Sequence, residues 1–274
     1  MKHYKTFLLF FALILTFSCD DAIEIDQPGR LNASAAFKTV EDIELGVFGI
    51  YREFDLTPEI SLASNFTDEV SIGFGSGGQG LALYDFVLNA GSAAPLNFWT
   101  RNYRAINRAT ILIEAAEAIE VDESQQDNFN NLLAQAYFLR AYSNLELMTY
   151  FVSDPRNDSS LGFPVIDFIP ELTLRPLRNT VGESWDIINS DISTALNLST
   201  QQSDVFLAST DAINALKARA ELLRGNYGQA KSLAQNLLNS YPLSNRAEYV
   251  DMFTDESVGE CIFKLQRTAN DLFD

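Results

Sequence analysis

Three groups of residues in this 274-residue chain have types and spacings that could carry chemistry. The hexapeptide Gly75–Gly80 matches the G-x-G-x-x-G pattern of dinucleotide-binding loops. The sequence provides neither the preceding strand nor the following helix, so we interpret it as a flexible loop. Asp68 and Glu69 could act as the acid and base of a glycosidase, although adjacent side chains usually point apart and solvated loop charges are the simpler interpretation. The third group is Cys19, which follows an apolar run.

Residues 1–18 are typical of an export signal. Lys2 and Lys5 give a positive start, and the eleven-residue run Phe7–Phe17 is apolar apart from one threonine. A membrane-spanning helix needs about 20 apolar residues, so this run is too short to be an anchor. A cysteine directly after such a segment predicts bacterial lipoprotein processing, with cleavage before Cys19 and acylation of its thiol and new N-terminus. The alternative is a plain secretory peptide.

The composition after the signal excludes several classes of function. Without residues 1–18, 17 basic residues remain against 37 acidic ones, a net charge of −20 that repels nucleic acid and anionic lipid. The only histidine, His3, is lost with the signal, so neither a Ser-His-Asp triad nor a histidine-ligated zinc site can form. We predict no catalytic group, no metal site and no cofactor. Cys261 is then without a disulfide partner, and we expect it to be a small buried side chain.

The elements that position these residues are predicted to be helices. The first is expected to start at a capping box, Thr39–Asp42, and to end before Pro58. Residues 60–98 contain six glycines and scattered aromatic residues, a pattern that predicts an irregular stretch without a helix or a long strand. Helical spacing of apolar residues returns over 101–119.

The longest predicted helix covers 127–151 and is apolar nearly all round, which places it in the middle of the molecule. Ser124 is expected to cap it. Four prolines then predict an extended crossing segment over 155–176, after which Thr180 caps a helix. Arg140 lies on an apolar helix face and is expected to form a buried ion pair, as is Arg219 further along the chain.

Residues 211–244 match the 34-residue tetratricopeptide pattern of two helices with small residues at their crossing. Gly225 ends the first helix and Pro242 stops the second. Such a pair cannot bury its apolar face alone, so the other helices are expected to stack on it. Residues 260–266 are predicted to form a strand.

Exposed aromatic side chains could bind a sugar, because the apolar C–H face of a sugar ring stacks on an aromatic ring. Phe66, Phe74 and Tyr84 lie in the irregular stretch together with Asp68, a polar partner for hydroxyl groups. Trp99 follows at a helix start and could face the same loop or pack beneath it. We assign Tyr103, Trp185 and Tyr227 to helix packing.

Five short motifs occur in order along the chain, and the order makes them specific. They are Trp99-x3-Tyr103-x2-Ile106-Asn107, Ala134–Tyr142, Gly162–Val165, Arg178–Val181 with Asp191 and Ala195, and Thr210–Ala230. Together they resemble the SusD/RagB family of outer-membrane nutrient-binding lipoproteins of Bacteroidetes. The pair Asp20-Asp21 is similar to the acidic surface-export signal of that phylum.

This resemblance implies an all-α, tetratricopeptide-like helical scaffold with a long irregular loop insertion. It also implies a non-catalytic lipoprotein on the outer face of the outer membrane. Such a protein binds an oligosaccharide or a peptide and delivers it to a SusC-like TonB-dependent transporter. A surface glycosidase and a tetratricopeptide adaptor for a protein partner are the alternatives.

The expected organisation has three parts. Residues 1–18 are the signal peptide, 19–36 a lipidated tether and 37–274 the SusD-like helical domain, with the tetratricopeptide-type pair at 211–244. Members of the family generally continue further, so the C-terminal half of the family fold is expected to be missing here.

Overall fold

The computed structural model describes residues 36–67, 69–89, 91–171, 173–200, 204–254 and 256–266. Helices dominate these residues. They are α1 Val40–Tyr51, α2 Thr57–Phe66, α3 Leu81–Tyr84, α4 Ala93–Ala116, α5 Gln126–Phe151, α6 Val181–Leu198, α7 Thr210–Arg224, α8 Tyr227–Ser240 and α9 Arg246–Phe253, with single 3-10 turns at Phe74–Ser76 and Glu123–Gln125. None of the helices in the described ranges is long and apolar enough to cross a membrane.

Helix α5 lies in the middle of the molecule, as predicted. It is buried on nearly every side from Phe129 to Met148 and packs mainly against α6 on one side and α4 on the other. Helix α1 covers α4 and α5, and α7 contacts α6 and α5. Because α5 offers apolar residues on nearly every side, several helices can pack around it.

Two of the three predicted N-terminal caps are confirmed. Thr39 accepts a hydrogen bond from the backbone of Asp42, whose side chain accepts one in return, and Thr180 forms the same capping box with Glu183. The cap predicted at Ser124 is wrong. A 3-10 turn leads into α5 instead, and the N-cap residue Gln125 makes no side-chain capping bond.

The prediction that residues 60–98 contain no helix is also wrong. Helix α2 covers Thr57–Phe66, and α4 starts at Ala93, eight residues before the predicted start. Pro58 is at the beginning of α2, where proline is tolerated because the first helical N–H groups have no intrahelical acceptor. The irregular insertion is therefore limited to the stretch between α2 and α4, and it contains the short helix α3.

The tetratricopeptide-like pair is confirmed as α7 and α8, which pack closely on each other. Gly225 ends α7 in the left-handed conformation, with a φ of +92° that favours glycine. Tyr227, which we had assigned to packing, is instead 55% exposed, and the Arg156 guanidinium lies 5.6 Å from its ring centroid.

The strand predicted at 260–266 is not formed, and the described residues contain no named strand. The backbone of Lys264 donates one hydrogen bond to Val205 O, and the Phe263 ring packs edge-on against Phe138 with centroids 5.5 Å apart. The apolar residues of this segment therefore pack on the core without pairing in a sheet. Cys261 is half-buried rather than fully buried.

The predicted buried ion pair of Arg140 is confirmed, whereas the pair of Arg219 forms but is only partly buried, because the Arg219 side chain is 40% exposed. Arg140 on α5 donates through Nε and Nη2 to the two carboxylate oxygens of Asp191 on α6, at 2.8 and 2.7 Å, and its Nη1 reaches Thr110 Oγ1 on α4. The side chains of Arg140 and Asp191 are 7% and 1% exposed. Arg219 Nη2 on α7 lies 2.7 Å from Glu146 Oε1 on α5. The two ion pairs join α6 and α7 to α5, and the hydrogen bond to Thr110 joins α4 to it.

Candidate functional site

The predicted aromatic residues occupy different environments. Phe74 is fully exposed on its 3-10 turn, whereas Tyr84 at the end of α3 and Phe66 at the end of α2 are half-buried. Asp68 and Cys19 lie outside the described residues. Of the three predicted rings, Phe74 is therefore free, and Phe66 and Tyr84 are partly covered.

Trp99 does not belong to this exposed group. Its ring packs between Tyr103 and Phe151, with both centroid distances at 4.9 Å, on the inner side of α4. Phe98 extends the same cluster to Tyr150, with centroids 4.9 Å apart. Of the two environments that the sequence left open for Trp99, the structure shows packing, with the ring against α4 and α5.

Phe86 is the aromatic residue that the sequence prediction omitted from the site. It is 64% exposed, and its ring lies edge-on against Phe66 with centroids 4.8 Å apart and planes at 76°. It is also the one non-glycine residue with positive φ in the described part of the chain, at +58°. The sequence signal was present, since Phe86 is one of the scattered aromatic residues of the insertion, but its backbone conformation could not be read from it.

The conformation of Phe86 follows from the way α3 ends. The Val87 N–H bonds to Ala82 O at 2.7 Å and the Phe86 N–H bonds to Leu83 O at 3.2 Å. These are the two hydrogen bonds of a Schellman motif, which places Phe86 at the position where glycine is usually found. A bulky residue there costs on the order of 1–3 kcal/mol of backbone strain, and such strain clusters at functional sites.

The surface around Phe86 is unusually apolar for a loop. Several large hydrophobic side chains of the insertion are exposed by more than two-fifths of their surface: Val70, Phe74, Leu81, Phe86, Val87 and Leu88. Three glycines with positive φ precede α3 and let the chain turn sharply there: Gly77, Gly78 and Gly80. We call this exposed segment, residues 69–89, the aromatic insertion. Exposed apolar side chains concentrated in one short segment make this segment the candidate binding surface.

Glu146 and Ser143 on α5 form a buried polar site apart from the aromatic insertion. Glu146 on α5 is 2% exposed, and its Oε1 is ion-paired with Arg219 Nη2 at 2.7 Å. In the part of the chain that the structure describes, no well-aligned hydrogen bond reaches its carboxylate oxygens or Ser143 Oγ. These atoms border a cavity of about 20 Å³, which has room for one water molecule. A cavity this small can hydrate the buried groups but cannot admit an oligosaccharide.

The electrostatics of this closed site are unusual. Burial raises the pKa of Glu146 to about 7. The Arg219 guanidinium opposes this rise, and the neighbouring Glu59 carboxylate adds to it. Glu59 accepts a hydrogen bond from the Tyr150 hydroxyl at 2.8 Å. No cluster of three or more metal-ligating side chains occurs in the described ranges.

Comparison with known proteins identifies the family. The sequence profile of a SusD-like family, described as starch-binding and associating with the outer membrane, matches residues 77–222, just over half of the chain. This chain belongs to the SusD-like family. The matched range includes most of the aromatic insertion and every helix from α3 to α6.

Two relatives of the SusD-like chain come from Formosa agariphila. One SusD-like protein is 28% identical over 252 residues and another is 23% identical over 273 residues, covering 88% and 94% of this chain. The matches cover 47% and 51% of those two proteins, so the chain spans about half the length of the curated relatives it matches.

Solved structures of SusD-like proteins have the same fold. A SusD superfamily protein from Bacteroides vulgatus superposes with a TM-score of 0.67 at 22% identity, over 86% of this chain and 56% of that one. A structure described as a laminarin binding SusD-like protein gives a TM-score of 0.63 at 19% identity, over 80% of this chain and 49% of that one. The helical, tetratricopeptide-like fold is therefore shown.

The motifs that identify the SusD-like chain hold the fold together. Arg178 donates from Nε to Gly162 O at 2.6 Å and from Nη2 to Leu161 O at 3.0 Å. Asn179 Oδ1 accepts a hydrogen bond from the Val165 backbone at 2.9 Å. These contacts hold the two ends of the crossing segment together, so these family motifs have a structural role. The aromatic insertion therefore remains the candidate binding surface.

Proposed function

We propose that this chain is an outer-membrane lipoprotein that binds a neutral oligosaccharide through the aromatic insertion and delivers it to a SusC-like TonB-dependent transporter. The single observation that carries the binding proposal is the Phe86 ring, exposed and held at a strained backbone position against Phe66. A ring fixed in this way is pre-organised, so less conformational freedom is lost when a ligand stacks on it.

The chemistry of the insertion favours a sugar. Phe74 and Phe86 offer exposed ring faces for the C–H faces of pyranose rings. The full sequence carries a net charge of −18, which disfavours anionic polysaccharides. The matched family is described as starch-binding and one structural neighbour as laminarin binding, and both sugars are neutral glucans, which supports the same class for the present chain.

Affinity electrophoresis and calorimetry with three polysaccharides test this proposal. The probes are laminarin, soluble starch and anionic alginate. We expect a neutral glucan to retard and bind the protein, alginate to have no effect, and Phe74→Ala to weaken the binding about tenfold, a loss typical of one stacked ring. Phe253→Ala is the matched control, because Phe253 is 74% exposed on α9 outside the insertion. Equal affinity of the two variants, or no binding of either glucan, would disprove the proposal.

We further propose that the bound glycan is not cleaved. The relatives whose descriptions mention a sugar are described as binding it. Chromatography of the oligosaccharide after long incubation should return it unchanged. Release of reducing ends that stops when one carboxylate is replaced would instead establish the glycosidase alternative.

Attachment to the membrane is proposed from the sequence. Residues 1–18 would be removed, Cys19 acylated and 19–36 would serve as the tether of the helical domain 37–274. Labelling of growing cells with a fatty-acid analogue should mark the wild type and leave Cys19→Ser unmarked. Protease treatment of intact cells should degrade the protein if it faces outside. An unmarked wild-type protein found free in the periplasm would contradict this part.

Delivery to a transporter is tested separately by purification from outer membranes. We expect a large β-barrel transporter to co-purify with the tagged protein. Its absence would count against delivery but not against glycan binding, which the electrophoresis measures directly. A peptide ligand remains the second candidate for the insertion, and a competing peptide in the calorimetry distinguishes it.

A further inference from the structure

Helix α2 is held in place by few apolar contacts. The structure describes all ten of its residues, and Leu62 is the one buried side chain among them. Elements with so little buried apolar surface open locally at a low cost in free energy. The position of α2 nevertheless matters for the proposed glycan surface, because Phe66 at its end supports the Phe86 ring. Polar contacts are therefore important for fixing this helix.

Glu59, in the first turn of α2, makes two such contacts. Its Oε1 accepts a hydrogen bond from the Tyr150 hydroxyl on α5 at 2.8 Å and lies 3.9 Å from Arg219 Nη2 on α7. The Glu59 side chain is only 19% exposed, so water and salt screen these electrostatic contacts less than they would at an open surface. A single carboxylate thus connects α2 to two helices of the core.

The same arginine also faces Glu146 on α5. Arg219 Nη2 lies 2.7 Å from Glu146 Oε1, so the guanidinium contacts Glu146 directly and reaches Glu59 only at the limit of an ion pair. Two carboxylates therefore share one positive charge. While both are ionised they also repel each other, and a neutral form of either one would leave Arg219 to the other.

The other titratable and charged groups that face Glu146 do not compensate for this imbalance. They are Tyr142 and Tyr150 on α5, Arg101 on α4, and Glu53 and Asp55 in the connection between α1 and α2. The two acids of the connection are each ion-paired with an arginine of α4 at 2.8 Å. Burial raises the pKa of both phenols, so they stay neutral near pH 7. The charge of Glu146, whose pKa burial raises to about 7, therefore decides how Arg219 divides its attraction.

The surroundings of Glu146 suit its neutral form. Its carboxylate oxygens and Ser143 Oγ are buried, and no well-aligned hydrogen bond from the residues that the structure describes reaches them. Burying a neutral carboxyl group costs far less free energy than burying a charged one, and the neutral group can donate a hydrogen bond as well as accept one. Glu146 can therefore take up a proton and release Arg219 without leaving an unpaired charge in the core.

We propose that Glu146, Arg219 and Glu59 form a pH-sensitive latch on α2. When Glu146 is neutral, the Arg219 guanidinium is free to pair with Glu59 and fastens α2 to α7. When Glu146 is ionised, it keeps Arg219 and repels the Glu59 carboxylate, so α2 is held less firmly. Because Phe66 moves with α2, fastening the helix also steadies the Phe86 ring. The link to glycan affinity rests on the proposed function, whereas the latch itself does not.

Hydrogen exchange followed by mass spectrometry tests the latch on the full chain without a ligand. Protection factors correct for the intrinsic dependence of exchange on pH. In α2 they should fall by about fivefold between pH 6 and pH 8, and the fall should be smaller in α8, which lies outside the latch. Glu146→Gln should keep α2 protected at both pH values, because its side chain is neutral. Glu59→Gln should lower the protection of α2 at both, because it removes the charge that attracts Arg219. No fall in the wild type, a fall that persists in Glu146→Gln, or equal falls in α2 and α8 would each overturn the proposal.

Calorimetry with laminarin or soluble starch tests the link between the latch and glycan binding. A glucan that binds better to the fastened form must raise the proton affinity of Glu146 by the same factor. Titrations at pH 7 in two buffers of different ionisation enthalpy should therefore show uptake of part of a proton on binding. The glucan affinity should also be about fivefold higher at pH 6 than at pH 8. Glu146→Gln should remove both effects.

Glu44→Gln is the matched control. Glu44 is exposed on α1, so this variant loses the same charge outside the latch and should keep the pH dependence of the wild type. Thermal melts verify that all variants fold. Glucan binding without proton uptake would overturn the link to the aromatic insertion. Absence of glucan binding would contradict the proposed function instead, and hydrogen exchange would still decide whether the latch exists.

Discussion

The Phe86 ring lies edge-on against Phe66, 4.8 Å between centroids, on a backbone whose φ of +58° would suit glycine. The pair joins the end of α2 to the turn after α3. A residue with no side chain would relieve the strain at this turn, and the phenylalanine instead presents a ring that is 64% exposed.

Replacing Phe86 by glycine should therefore separate stability from binding. We expect Phe86→Gly to change the free energy of unfolding by less than about 1 kcal/mol, because relief of strain offsets the lost ring contact. Its affinity for a neutral glucan should fall. Phe86→Ala is the companion variant, since it loses the ring but keeps the strain, and it should be less stable than Phe86→Gly. Urea denaturation and calorimetry measure both effects. Unchanged glucan affinity in both variants would contradict the role of the ring.

Replacing Trp99 should lower stability without changing glucan affinity. Because its ring packs between Tyr103 and Phe151, we expect Trp99→Leu to lower the free energy of unfolding by about 2 kcal/mol, below the range for fully buried aromatic residues. Glucan affinity measured well below the melting temperature should not change. If affinity falls without loss of stability, Trp99 contacts the ligand after all.

The buried pair of Arg140 and Asp191 should be sensitive to loss of either partner. We expect Asp191→Asn to destabilise the protein by about 3 kcal/mol, because it leaves a buried guanidinium without its counter-charge. The apolar double variant R140M/D191L should be less destabilised than the sum of the single variants R140M and D191L, each compared with the wild type. Denaturant melts of the four proteins form a double-mutant cycle, and additive losses would show that the pair contributes no coupling.

Glu146 should make stability depend on pH. Its pKa is raised from 4.5 to about 7 in the folded state, so the unfolded chain releases this proton first. Its contribution to stability is therefore complete below about pH 4.5 and is lost as the pH rises towards and through 7, by on the order of 3 kcal/mol. Urea melts between pH 5 and pH 8 measure the slope. Glu146→Gln should flatten it, and an unchanged slope in that variant would contradict the assignment.

Gly162 should tolerate no side chain. A Cβ atom there would lie 2.2 Å from Ser184 Oγ and 2.7 Å from Thr180 O, and the second contact is with backbone that cannot move aside. We expect Gly162→Ala to cost about 2 kcal/mol, as overpacking does. Gly228→Ala is the control, because a Cβ atom there has nothing within 4 Å. Similar melting temperatures for both variants would show that the crossing segment shifts to accept the methyl group.

The parts of the fold that the sequence predicted correctly are those fixed by helical spacing and local caps. Helix α5, the pair α7 and α8 and the capping box at Thr180 depend on neighbours within a few residues. The ion pairs of Arg140 and Arg219 were also predictable, because a guanidinium on an apolar helix face needs a buried acid.

What the sequence did not predict depends on tertiary contacts or backbone angles. Pro58 was interpreted as an end of a helix, although proline suits a helix start equally well. Residues 260–266 have strand-like composition, but the Phe263 ring packs on α1 and α5, and no strand pairs with this segment in the described part of the chain. The positive φ of Phe86 arises from the hydrogen bonds that close α3, and residue types alone do not reveal it.

The aromatic insertion contributes none of its side chains to the main hydrophobic core, which is built from helices on either side of it and from the crossing segment. Mutations in this surface are therefore largely uncoupled from the energetics of the scaffold. Related proteins could differ in these roughly twenty residues, and with them in the proposed binding surface, while keeping the same helical scaffold. Chimeras that carry a relative's insertion are a direct way to observe such divergence.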